Sequence, residues 1–290
     1  MKTLTVLSGK GGVGKSSIAA SLSVLLSREK SIVAADCDVD ASNLSLILKS
    51  GSEKEQSREI ASSEKAFFDE EKCTSCGKCK DICAFGAIEW DEKRQMPEVN
   101  KYLCEGCGTC KLVCPEGAFR IEKVKNAVLS NYDTRFGFPL VSGQLKMGES
   151  GSGKVVTEVR EEAEKTEAEM MMVDSAAGIG CPVIASVRGS DYVVAVTEPT
   201  PSGFSDLKRA LEIVEHFGID SGIVINKWNL NRDLSEKISK FAEGAGVPIL
   251  GKIPYDRKFI DALVDLKTVV ETSPDYEDKF REIIENIGEI

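Results

Sequence analysis

Short apolar runs recur along the chain and alternate with segments whose apolar residues repeat every three or four positions. Residues 3–7 form the first run and predict a short buried strand. A glycine-rich loop at 8–14 follows, and from Ser16 to about Leu26 the apolar positions Ile18, Leu22, Leu25 and Leu26 fall at helical spacing. Residues 31–36 predict a second buried strand. Similar runs lie at 170–174, 192–197, 222–226 and 247–251, and in 205–217 Leu207, Ala210, Leu211 and Val214 make one stripe. Buried strands alternating with amphipathic helices predict an α/β fold, a mostly parallel sheet with helices on both faces.

One region breaks the rhythm. Residues 49–65 are polar and rich in Ser, Glu and Lys, as in a linker. From there to about Lys125 lie eight of the ten cysteines and no long periodic helix. The alternation resumes beyond it, so the chain divides into 1–60 and 126–290, two parts of one domain, with 61–125 inserted as a small α+β domain. The segment 142–154 is rich in Gly and Ser and is expected to be a flexible loop.

Composition narrows the setting. With 290 residues and 42% hydrophobic content, the chain can bury one large core and a small extra module. The net charge of −10 disfavours nucleic-acid phosphate and anionic lipid as general partners. No apolar run approaches the ~20 residues needed to span a bilayer. The N-terminus runs directly into the glycine loop without a signal peptide, so a cytoplasmic location is expected. Ten cysteines in a reducing compartment argue for metal rather than disulfides.

Residues Gly9-Lys10-Gly11-Gly12-Val13-Gly14-Lys15-Ser16 fit G-x-x-x-x-G-K-[ST] between an expected strand and an expected helix. Such a loop turns backbone N–H groups toward phosphate oxygens, and the helix adds the positive end of its dipole. Lys15 is expected at the β/γ-phosphates and Ser16 on Mg²⁺, with Ser17 completing the nucleotide-binding stretch. A plain glycine turn with a solvated lysine would leave the serine and the flanking elements unexplained. A second match, Gly148 to Lys154, carries Val155 where the Mg²⁺-binding hydroxyl belongs. Carboxylates cluster at Asp36-Cys37-Asp38-Val39-Asp40 and at the end of Met170-Met171-Met172-Val173-Asp174. Both lie at the sheet edge where ligands of open α/β folds bind. One of Asp36, Asp38 and Asp40 is expected to cap the helix that follows.

Cys73, Cys76, Cys79 and Cys83 make C-x₂-C-x₂-C-x₃-C, and Cys104, Cys107, Cys110 and Cys114 repeat it 31 residues later. This is the pattern of bacterial two-cluster ferredoxins, in which the fourth cysteine of each run ligates the other cluster. By that pattern one [4Fe–4S] cluster takes Cys73, Cys76, Cys79 and Cys114, and the other takes Cys104, Cys107, Cys110 and Cys83. Zinc sites use paired C-x₂-C knuckles instead. Ala84 stands where a proline usually follows the first run, and Lys78, Lys80 and Lys111 lie close in sequence to the thiolates. The region 61–125 holds 11 Lys and Arg against 12 Asp and Glu, a formal charge of −1, so most of the acidity lies outside it.

The form K-G-G-V-G-K-S resembles the deviant Walker A of the MinD superfamily, which includes MinD, Mrp-type carriers and the nitrogenase iron protein; together with the cysteine runs, the chain resembles family members carrying an inserted two-cluster ferredoxin domain. The resemblance implies an ATPase whose active form is a homodimer with nucleotide at the interface. It makes Lys10 a catalytic residue reaching the partner's nucleotide, much like an arginine finger, whereas on physics alone Lys10 could add charge in cis. It further implies that Asp38 orients the attacking water and Asp174 holds Mg²⁺. Ser175-Ala176-Ala177-Gly178 would be the second switch, with Ala176 replacing the usual proline. Asn226 and Pro254 would contact adenine; the guanine motif is incomplete because Asn229 takes its fourth place.

Two cysteines remain. Cys181, seven residues after Asp174, lies at about the distance of the cluster ligand in the nitrogenase iron protein, but that cluster takes two cysteines per subunit and no second candidate is evident, so a small buried residue is expected. Cys37 is expected to pack behind the nucleotide. His216, the only histidine, falls opposite the apolar stripe beside Gly218 and suits a helix C-terminus. The acidic segment 275–290 is unlike MinD's basic membrane anchor. Two functions follow, both with a redox or iron–sulfur partner protein: ATP-driven electron transfer through two [4Fe–4S] clusters, or Mrp-type cluster delivery through a labile cluster at Cys181. A MinD-like spatial regulator is a third reading, disfavoured by the cysteine runs and the acidic tail.

Overall fold

The computed structural model describes residues 1–49 and 55–289. It begins with β1 (Lys2–Ser8), α1 (Lys15–Leu26), β2 (Ile32–Cys37), α2 (Leu44–Leu48) and β3 (Glu55–Ile60). A second group follows: β4 (Ser63–Phe68), α3 (Lys78–Asp81), β5 (Ile88–Asp91), β6 (Met96–Val99), α4 (Thr109–Val113) and β7 (Phe119–Val124). Then come β8 (Ala127–Asp133), β9 (Pro139–Leu145), α5 (Ser152–Glu164), β10 (Met170–Ala177), α6 (Cys181–Val187), β11 (Tyr192–Thr197) and α7 (Pro201–His216). The chain closes with β12 (Asp220–Asn226), α8 (Arg232–Gly244), β13 (Ile249–Ile253), α9 (Lys258–Val264), α10 (Val269–Thr272) and α11 (Pro274–Ile287).

A nine-stranded sheet has the order β13-β12-β11-β1-β10-β2-β9-β8-β3. It is parallel from β13 through β9, and β8 and β3 add an antiparallel edge. Alternation along β1 shows how both faces are covered. Leu4 and Val6 pack with Ile18, Leu22 and Leu25 of α1, while Leu7 packs with Val183 of α6 and Leu207 of α7. Each such fully buried aliphatic side chain contributes about 1.5–3 kcal/mol. The parallel arrangement puts the C-terminal ends of β1, β2 and β9 to β13, and the loops that follow them, on one edge.

The strand–helix alternation expected from the apolar pattern is present, and so is a mostly parallel sheet. The differences lie where the chain is polar. Of the linker expected at 49–65, residues 50–54 lie outside the described residues, while the rest contains β3 and the start of β4. Strand β3 pairs along its length with β8, yet four of its residues, Gln56 to Glu59, are exposed. An edge strand held by backbone pairing with both faces wet carries no apolar signature. Of the flexible loop expected at 142–154, only 146–151 lie outside regular structure; 142–145 end β9 and 152–154 begin α5. Gly143 is there for packing, since a Cβ on it would sit 2.6 Å from Val159 of α5. The predicted C-terminal helix is α11; residue 290 lies outside the described residues.

Residues 63–124 form a small body apart from the large sheet. Strands β4 and β7 pair antiparallel, as do β5 and β6, and the body has its own core of Ala66, Ala87, Ile88, Ala118 and Phe119 with Cys79, Cys104 and Cys110.

Candidate functional site

The glycine loop joins β1 to α1 at the C-terminal edge of the sheet. Gly9 lies so close to α7 that a Cβ would be 2.2 Å from the Asp206 carbonyl oxygen, and Gly14, at φ 93°, opens α1 in the left-handed region. Asn226, at the end of β12, donates from Nδ2 to the Val13 carbonyl at 2.7 Å. Ile253 pairs in register with Asn226, so Pro254 lies just past it on the same edge. Ser17, in the first turn of α1, lines a small pocket with Phe259 and Leu263.

Lys15 is 6% exposed and lies among carboxylates from two neighbouring strand ends. Its Nζ is 2.6 Å from Asp174 Oδ1, 3.6 Å from Asp38 Oδ2 and 3.3 Å from Ser16 Oγ. Burial opposes its charge, but Asp174, then Asp38 and Asp36, outweigh it and hold the ammonium above its ordinary value. Asp38 is raised by burial, against the pull of Lys15. Asp36, fully buried, is pushed up to about 7 by burial and then by Asp174. Asp36 also accepts from Ser42 Oγ at 2.7 Å and from the backbone N–H of Leu44 at 3.0 Å, so it is the helix-capping carboxylate of the three. Among the described residues, Asp174 Oδ2 is buried with no hydrogen-bond donor. An unpartnered carboxylate oxygen near a serine hydroxyl is the hard-oxygen environment that suits Mg²⁺.

Lys10 is a half-turned-in residue here. Its Nζ is 2.9 Å from Glu198 Oε1, and Glu198 Oε2 holds Lys227 Nζ at 2.9 Å. Lys227, at φ 55°, also donates to the Gly12 carbonyl at 2.8 Å. Two lysines pull the Glu198 carboxyl below its ordinary value against the opposing effect of burial. Glu198 was not among the residues picked out from the sequence. Its signal was available, a carboxylate just past the strand beside β1, under the same edge rule that singled out Asp36 and Asp174. Gly178, φ 104°, donates its N–H to the Ser8 carbonyl at 2.9 Å, which ties the segment after Asp174 to the loop.

In the small body the two cysteine runs interleave. One cavity is lined by Cys73, Cys76, Cys79 and Cys114; the other by Cys83, Cys104, Cys107 and Cys110. Each run's fourth cysteine thus faces the other run's first three. Gly77 (φ 75°) and Gly108 (φ 77°) start α3 and α4 at equivalent points of the two runs. Backbone N–H groups of Ser75, Ala66 and Ala118 donate to the sulfurs of Cys73, Cys104 and Cys114, each at 3.3 Å. Burial pushes the Cys110 thiol up to about 11 and raises Cys79 as well, whereas a hydrogen bond with Thr109 lowers Cys107. Among the described residues no three His, Cys, Asp or Glu side chains converge as around a single metal ion. Four soft thiol donors around each cavity, with N–H groups turned to sulfur, are a donor set that fits an iron–sulfur group.

Lys78, Lys80 and Lys111 are all exposed. The buried cation of the small body is Lys65, at 2% exposure, which the sequence does not mark because it lies in the polar stretch before the cysteines. Cys37 is fully buried and burial raises its thiol, while Cys181, expected to be a small buried residue, is instead exposed at the start of α6. His216 ends α7.

A buried lysine in a glycine loop, with acidic strand ends beside it on a doubly covered parallel sheet, defines a P-loop nucleotide-binding protein. The CobQ/CobB/MinD/ParA nucleotide binding domain model matches residues 4–269, and the chain belongs to that family. Two proteins of Methanocaldococcus jannaschii are similar to it. The uncharacterized protein MJ0578 is 42% identical over 231 residues, 79% of each chain; the uncharacterized protein MJ0579 is 30% identical over 266 residues, 90% of this chain and 88% of that one. Among solved structures, the septum site-determining protein MinD from Pyrococcus horikoshii, complexed with Mg-ADP, superposes with a TM-score of 0.57 at 17% identity, covering 99% of this chain and 96% of that one. A ParA family ATPase from Chlorobium tepidum gives 0.56 at 15%, covering 99% of each. At such identity these structures support the shared fold. Among the described residues no helix is long and apolar enough to cross a membrane.

Proposed function

We propose that the chain is an ATP-hydrolysing iron–sulfur protein in which a nucleotide-dependent homodimer gates electron transfer through two [4Fe–4S] clusters held in an inserted ferredoxin domain spanning 61–125. The observation that carries this reading is the pair of cavities lined by four cysteines each. They lie in a body spliced into the chain between the Asp38 loop and Asp174. Lys15 and the loop N–H groups would hold the triphosphate, Ser16 and Asp174 would hold Mg²⁺, and Asp38 would orient the attacking water. ATP and water yield ADP, phosphate and a proton. Asn226 and Pro254 meet adenine. Lys10 leaves Glu198 and crosses to the partner's nucleotide when two copies close. Cys73, Cys76, Cys79 and Cys114 would hold one cluster and Cys83, Cys104, Cys107 and Cys110 the other, and clusters bound there would supply one-electron transfer between a low-potential carrier protein and an acceptor protein.

Exposed Cys181 favours a second reading, cluster delivery of the Mrp type. The two separate cleanly. Anaerobically purified protein should contain about eight irons per chain, dimerise with ATP, and show cluster potentials that differ between ATP, ADP and nucleotide-free states. Iron content near zero, or potentials indifferent to nucleotide, would remove the electron-transfer reading. Transfer of cluster to an apo-protein, abolished by Cys181→Ala, would establish the second.

A further inference from the structure

The two cysteine sets are nearly symmetric within the small body, but the loop carrying Cys104 and Cys107 also meets the segment before α5 and the start of α6. The loop 104–106 is gripped from both sides of Lys65. The N–H of Ala66 donates to Cys104 Sγ, and Gly106 lies so near Glu64 that a Cβ would be 2.2 Å from its carbonyl oxygen. Lys65 itself is buried, and among the described residues its ammonium makes no hydrogen bond. It faces Glu149 Oε2 at 3.4 Å, an oxygen that is likewise buried and without a donor.

Glu149 belongs to the segment 146–151, which leads from β9 into α5. This segment is fastened to the small body at several points. Gly148, φ 75°, lies against the Tyr102 ring at 2.8 Å from where a Cβ would be, and Asn126 donates to the Ser150 carbonyl at 2.9 Å. At its other end, Gly153 of α5 packs on Cys181, with a Cβ position 3.2 Å from the Cys181 Cβ. Cys181 opens α6, three residues beyond Gly178, whose N–H is bonded to the phosphate-loop strand at Ser8. Glu105, between two cysteines of the set, shares a groove with Lys154 and Cys181. Both cavities are lined by residues of the small body alone, with Trp90 and Phe119 bordering the one of Cys73, Cys76, Cys79 and Cys114.

The geometry points to Lys65 and Glu149 as positioning residues that pass nucleotide state from the segment after Asp174 to the set Cys83, Cys104, Cys107 and Cys110, and leave the other set unaffected. This rests on the proposal above that both sets hold [4Fe–4S] clusters. The N–H of Ala66, next to Lys65 on β4, bonds to Cys104 Sγ, and hydrogen bonds to sulfur together with buried charge nearby set the potential of an iron–sulfur group, an influence the low local dielectric magnifies. A shift of α6 against α5 moves the 146–151 segment, and Glu149 then changes how fully it neutralises Lys65. The second glycine loop of the chain thus serves as a strut rather than a phosphate cradle.

The test is a redox titration of the anaerobic holoprotein followed by electron paramagnetic resonance, with no nucleotide, with ADP and with a slowly hydrolysed ATP analogue. Cys76→Ser and Cys107→Ser assign the two signals. The Cys83/104/107/110 potential is expected to move with nucleotide while the other stays fixed. Lys65→Met should lower that one potential and abolish its nucleotide response; Glu149→Gln, which keeps the lysine, should raise it and also blunt the response. Amide hydrogen exchange provides a readout independent of the potentials: peptides covering 146–151 and 102–107 should change together with nucleotide, and 73–79 should not. A nucleotide shift in the Cys73/76/79/114 signal, or an undiminished shift in both Lys65→Met and Glu149→Gln, overturns the inference. Nucleotide indifference of both signals in the wild type instead overturns the electron-transfer reading on which it rests.

Discussion

Lys15→Met should destabilise the chain even with no nucleotide present. In the ligand-free protein the lysine is the cation that compensates Asp174 at 2.6 Å and Asp38 at 3.6 Å, beside a buried Asp36. At an effective dielectric of about 20, those two contacts are worth roughly 6 and 5 kcal/mol of attraction. Desolvation of the charged groups offsets much of it, but removing one partner leaves carboxylates buried and unpaired, which typically costs about 3–5 kcal/mol. Methionine preserves most of the side-chain volume, so the loss is electrostatic rather than a cavity. For a chain of this size each kcal/mol moves the melting temperature by about 2 °C, so a fall of roughly 6–10 °C is expected. The penalty should shrink on going from pH 8 to pH 5, because protonating Asp36 and Asp38 relieves the repulsion that the lysine no longer screens. Thermal unfolding of both proteins in chelator, at the two pH values, measures this, and a nucleotide titration should show binding lost. A variant as stable as the parent at pH 8, or a difference independent of pH, would refute the reasoning; that is also what is expected if Lys15 serves only the ligand, since replacing purely functional residues often stabilises.

Lys10→Ala should leave nucleotide affinity within a few-fold of the parent but remove hydrolysis; unchanged turnover in a steady-state phosphate-release assay would refute a role across the dimer. Asp36, raised to about 7, binds its proton more tightly folded than unfolded. Its favourable contribution is complete below about pH 4 and is lost as pH rises through about 7, at most about 4 kcal/mol. Asp36→Asn should therefore gain melting temperature relative to the parent at pH 8 compared with pH 5, and a pH-independent difference would count against the shift. Gly9→Ala would place a methyl 2.2 Å from the Asp206 carbonyl, so the loop or α7 must move; soluble yield and nucleotide affinity should both fall, and a fully active variant would show that the close approach is not required. Cys107→Ser should lower iron from about eight to about four per chain and leave ATP binding intact, which iron analysis and a fluorescent nucleotide titration check together.

Much of the architecture was visible in the linear pattern. Runs such as 192–196 and 170–173 are apolar throughout because strands of a doubly covered sheet are buried on both faces, and no surface helix looks like that. The glycine loop and the cysteine spacings are equally local, since a few residues of chain fix which atoms can face one ligand. Strand β3 was not visible, because at a wet edge the stabilising groups are backbone amides common to every sequence. Nor was α5 as the end of the glycine-rich stretch, since its Gly143 contact depends on a helix that arrives later in the chain.

What the sequence by itself determined is the list of chemical groups and their local spacing: Lys15 and Ser16 in one turn, four cysteines in each run. Which groups share a site across long stretches of chain was decided only by the tertiary structure. It set Glu198 between Lys10 and Lys227, Asp174 against Lys15, and Lys65 against Glu149. The physical reason is range. Dihedral preference and periodicity act over a few residues, whereas a charge is sensed through space by whatever the packed sheet brings within a few ångströms, at any separation along the chain.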